Sequence, residues 1–129
     1  MAKIGAWLKP YSWEFVTAQN ALLCQARGAF HGPTSEGHSA ARELWGRQHP
    51  VPISLEDAVQ LCRQRHRLAP FCFYNGNTFA GIIRDVIQGL GLPPDQSYVV
   101  RSLAGHIVAG VSTGEEERAF LEFCNSLET

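Results

Sequence analysis

Cys72, Tyr74, Asn75, Asn77 and Thr78 crowd together just ahead of a long apolar run, a local cluster with side chains that could do chemistry. An ionised thiol is the strong nucleophile in this set, and a helix N-terminus both lowers a thiol pKa and attracts anions. A thiol mechanism also needs a base, and the chain offers His31, His38, His49, His66 and His106. Cys72 paired with His66 or His106 would make a small thiol-dependent hydrolase or transferase. The competing reading needs no chemistry: Asn-Gly makes a turn, and Asn75 or Asn77 caps the helix that follows.

A metal site is the weaker use of the same residues. Cys62 and His66 stand four apart on a predicted helix and face one way, and Cys72 would add a third ligand. Arg65 and Arg67 beside His66 repel a cation, and no Cys-x-x-Cys pair exists. Neither a metal nor a cofactor is expected. Arg63, Arg65 and Arg67 form a basic run, but a formal net charge of −1 and the lack of interleaved aromatics argue against nucleic acid.

The run Asn75-Gly76-Asn77-Thr78-Phe79 resembles the Asn-Cys-Asn-Thr-Phe segment of the PPPDE group of papain-like thiol peptidases. In that group the helix opens on the nucleophilic cysteine. Here Gly76 holds the matching position, so the resemblance implies a non-catalytic relative. It covers about twenty residues, and the strands and histidine-bearing segment that the group carries upstream are not evident.

The elements that must position this cluster read as helices. Ser12 caps a helix over 13–27, where Phe15, Ala18, Leu22 and Ala26 recur at helical spacing and Gly28 stops the chain. A second helix is expected over 35–48, and a third over 55–68 behind Ser54 and Asp57. The helix over 78–90 carries Phe79, Ile82, Ile83, Val86 and Leu90 on one face and should be central. Residues 97–111 fit a helix better than a hairpin. Thr113 and Glu116 spell a capping box for the last helix.

The expected fold is therefore all-α, a compact bundle of five to six helices in a single domain over 1–129, with 1–11 as a packed N-terminal arm. The alternative is α+β, with short strands at 71–74 and 98–111. The 129 residues are 45% hydrophobic and 18% charged, a globular balance, with no secretory leader and no span of membrane length. A cytoplasmic protein with reduced cysteines is the expectation. Trp7, Tyr11, Trp13 and Trp45 gather in the first third of the chain, a hint of a binding surface. The first functional reading is a non-enzymatic helical interaction module, an adaptor, regulator or assembly factor, bound to another protein or to itself as a homodimer. The thiol enzyme is the alternative.

Overall fold

Helix boundaries follow the polar punctuation of the sequence. Ser12, Ser54 and Thr113 each accept a hydrogen bond from the backbone N–H three residues on, at Phe15, Asp57 and Glu116. The Glu116 carboxylate accepts in return from the Thr113 N–H and completes the capping box. The structure, a computed structural model, describes residues 3–127. Its elements in order are β1 (Ile4–Gly5), α1 (Trp13–Ala26), α2 (Gly37–Gln48), β2 (Ile53–Ser54), α3 (Leu55–Arg67), α4 (Asn75–Gln88), α5 (Pro94–Ala109) and α6 (Gly114–Ser126). The fold is the expected all-α bundle, and α4 packs against α1, α3 and α5.

The core is built from α4 outward. Phe79, Ile82, Ile83 and Ile87 are fully buried, and they meet Trp45 from α2 and Ile107 from α5. Burial of such side chains stabilises a fold by roughly 1.5–3 kcal/mol each. Residues 97–111 fall largely in α5, which opens on Pro94 and stops at Gly110, in the left-handed conformation at φ 79°. No strand forms there, so the α+β alternative fails at 98–111. At 71–74 it reduces to one antiparallel bridge between Phe71 and Pro33.

The N-terminal arm packs on the body from residue 3 onward; residues 1 and 2 lie outside the described residues. Its β1 pairs antiparallel with β2, Ile4 opposite Ser54, a two-residue ladder too short for any sequence pattern to mark. Leu8 and Tyr11 behind it are buried.

Helix α1 departs from the reading of its pattern. The buried positions are Val16, Asn20 and Cys24. Phe15, Ala18, Leu22 and Ala26 face outward, with Leu22 60% exposed. The helix is apolar on more than one side, so the period alone did not say which side meets the core.

Candidate functional site at the mouth of α4

The start of α4 lies three residues earlier than the sequence pattern suggests. Tyr74 takes a left-handed conformation, φ 60° and ψ 32°, and the helix begins at Asn75. The Asn75 side chain does not cap. Its Oδ1 accepts from the Phe71 N–H at 2.9 Å, and its Nδ2 donates to the Phe71 carbonyl at 2.7 Å. This two-way bond closes the turn 71–75 and holds the strained Tyr74. The cap reading of Asn75 and Asn77 therefore gives way to Tyr74, whose carbonyl accepts from the Thr78 N–H, and Asn77 is exposed.

Two histidines flank this mouth, each with one nitrogen pinned. On the α1 side Asn20, wholly buried, donates from Nδ2 to the Phe73 carbonyl at 2.8 Å and to Thr78 Oγ1 at 3.0 Å. The carbonyl only accepts, which fixes the amide orientation and turns Oδ1 toward His31 Nδ1 at 2.8 Å. His31 therefore carries its proton on Nδ1. On the other side His66 Nδ1 donates to the Val108 carbonyl at 2.8 Å. In the neutral ring this leaves the lone pair on Nε2.

His66 Nε2 points at α4. A Cβ placed on Gly76 would stand 3.2 Å from His66 Cε1 and 3.3 Å from Nε2. The first-turn N–H groups of a helix have no intrahelical acceptor, and they carry the positive end of its dipole. An oriented imidazole beside such a helix end supplies the proton acceptor and the anion-stabilising field of a thiol-nucleophile site. The nucleophile is what the position lacks, because residue 76 is glycine.

No family model, curated protein or solved structure matches this chain. The likeness of 75–79 to the thiol-peptidase segment therefore rests on those residues alone.

The other candidate residues are dispersed. Cys72 is exposed, and its Sγ lies 3.7 Å from the Pro33 carbonyl; it shares no hydrogen bond with His66. His106 is engaged elsewhere, with Nδ1 2.6 Å from Glu116 Oε2 on α6. That contact and the cap at Thr113 hold the Glu116 carboxyl below its ordinary pKa. Cys24, Cys62 and Cys124 are buried. Burial pushes the Cys62 thiol far up, and burial with the Glu56 charge pushes Cys124 up to about 12. Ellman's reagent is therefore expected to titrate Cys72 alone in the native protein and the other three only after denaturation. Fast reaction of two or more native thiols would contradict this burial pattern.

Among the described residues no group of three or more His, Cys, Asp or Glu is arranged to hold a metal. The basic run is dismantled as well. Arg63 pairs with Glu117 at 3.3 Å, and Arg65 is 4% exposed, leaving Arg67 as the exposed member.

The aromatic cluster divides in the same way. Trp45 is 0% exposed and donates from Nε1 to the Tyr11 carbonyl at 2.7 Å, so it belongs to the core and offers no surface. Tyr11 is buried and donates its hydroxyl to Asp85 Oδ2 at 2.5 Å. Burial and that carboxylate raise the phenol above its ordinary pKa. Trp7, half-buried, lines an open groove of about 520 Å³ with Pro10, Tyr11, Asp85 and Leu90. Trp13, also half-buried, stacks on Phe71 at 5.6 Å.

Three functional features escaped the sequence reading. His31 stands in the sequence only as one of five histidines, and its partner Asn20 is eleven positions away in the chain. Asn20 did carry a signal, a lone polar residue at i+4 between Val16 and Cys24 on one face of α1. The third is the outward face of α1.

Proposed function

We propose that the chain is a non-enzymatic helical interaction module that associates with a second copy of itself through α1. The observation that carries this reading is the exposed apolar stripe of Phe15, Ala18 and Leu22 on a helix whose other face is already seated on the body. A contiguous apolar face left in water marks a binding surface. Beside it runs an open groove of about 460 Å³ between α1 and α2, lined by Trp13, Ala18, Ala21, His38 and Arg42.

The stripe suits its own copy. A small residue, Ala18, stands between two bulky ones, so an antiparallel copy sets Phe15 against Leu22 and Ala18 against Ala18. A two-fold axis requires this kind of self-complementary patch.

The absence of a nucleophile beside His66 supports the non-enzymatic half. No helix among the described residues is long and apolar enough to cross a membrane.

Sedimentation equilibrium from the low micromolar range upward is the test. The wild-type chain is expected to reach a dimer mass. Leu22→Asp, at an exposed position, should remain a monomer with an unchanged helical circular-dichroism spectrum. A wild-type chain that stays monomeric throughout overturns the reading.

A further inference from the structure

The cleft between α4 and α5 carries an arrangement that neither the α1 face nor the His66 site explains. It is lined by Arg84 of α4 and by Tyr98, Arg101 and Ser102 of α5, and encloses about 240 Å³. Arg101, Ser102 and Gly105 stand three, four and seven residues after Tyr98, so the four share one side of α5. Arg84 reaches onto that side from α4. Its guanidinium turns the Nε–Nη2 edge to Gly105: a Cβ there would stand 2.5 Å from Nη2 and 2.6 Å from Nε. Glycine is what lets the head group settle at this place. Arg101 is held from its own helix, with Nε donating to the Ser97 carbonyl at 3.3 Å. That leaves its terminal nitrogens for another partner.

Among the described residues neither guanidinium pairs with a carboxylate. Asp85, next to Arg84 in sequence, is occupied by Tyr11. Two unneutralised guanidinium forks and a serine that line one cleft match the tetrahedral oxygens of a phosphoryl group, which arginine binds bidentately. Tyr98 is 70% exposed at the rim, a flat apolar surface for whatever the phosphate is attached to.

We propose that this cleft binds a small phosphate monoester, with Arg84, Arg101 and Ser102 on the phosphoryl oxygens and Tyr98 against the organic group. The small volume suits one phosphoryl group. A chain of net charge −1 lacks the extended basic field that a nucleic-acid backbone would engage.

The probes are inorganic phosphate and phenyl phosphate, added to the full-length protein at constant ionic strength and followed by amide NMR. Both should shift Arg101, Ser102 and neighbouring amides saturably, with millimolar affinity for phosphate and binding several-fold tighter for phenyl phosphate. Arg84→Gln and Arg101→Gln should each weaken binding about tenfold or more. Tyr98→Ala should remove the advantage of the phenyl group alone. Gly105→Ala keeps both charges and is favourable in a helix, yet displaces the Arg84 head group; it should weaken binding while the thermal midpoint holds or rises. Binding that does not saturate by about 50 mM, or that survives both arginine substitutions, overturns the site. Tighter binding of a short single-stranded oligonucleotide than of phenyl phosphate overturns the choice of ligand.

Discussion

Gly76→Cys is expected to create a thiol that reacts with iodoacetamide near pH 6 at least about tenfold faster than Cys72 in the same molecule. The new Sγ would stand at the N-terminal turn of α4 beside His66 Nε2, whose other nitrogen is already committed to the Val108 carbonyl. The helix end and the imidazolium both favour a thiolate, so ultraviolet absorption should show it ionised below the range of an ordinary cysteine. Gly76 is not among the glycines with positive φ, so the backbone accepts a side chain. The ring of His66 must yield by a few tenths of an ångström. His66→Ala in the Gly76→Cys background should return the thiol to the reactivity of Cys72. Equal rates for positions 72 and 76 with His66 present would contradict the aim assigned to that ring.

Asn20→Ala should destabilise the fold by about 2–4 kcal/mol, because one buried amide serves four partners, the Phe73 carbonyl, Thr78, Cys24 and His31. Its loss leaves the Phe73 carbonyl without its donor, removes a bond from Thr78, and frees His31. These groups tie α1 and the loop at 31 to the mouth of α4, so the loss falls on the site as well as on stability. Urea titration measures it, with Leu22→Ala as the control. Leu22 is exposed, and its replacement in the monomer should stay within about 0.5 kcal/mol. A change that small for Asn20→Ala would mean the network adds little.

Local chemistry made much of this fold legible. The caps at Ser12, Ser54 and Thr113 stand where side chain and spacing put them, and the stripe of α4 is its buried face. What escaped depends on neighbours distant in sequence. Asn-Gly-Asn-Thr reads as a turn, yet it is helical because Asn75 spends both ends of its amide on Phe71 and Tyr74 absorbs the strained conformation. Trp45 looked like an interface residue, but Tyr11 and Phe79 enclose it. Gly76 and Gly105 matter through what lies against them, His66 from α3 and Arg84 from α4, and no local pattern shows that. On α1 two apolar faces compete, and the one carrying Asn20 turns inward because His31, Thr78 and the Phe73 carbonyl satisfy its amide.

The proposed dimer rests on that outward face of α1, and a disulfide trap at Ala18 tests it. Ala18→Cys in a Cys72→Ser background places one new thiol at the proposed two-fold axis, where the two copies of residue 18 face each other. Under mild oxidation a covalent dimer linked through position 18 is expected, seen by intact mass and abolished by Leu22→Asp. Gly46→Cys, equally exposed but on α2, should stay largely monomeric. Equal linking at positions 18 and 46, or none at 18, would contradict the proposed assembly.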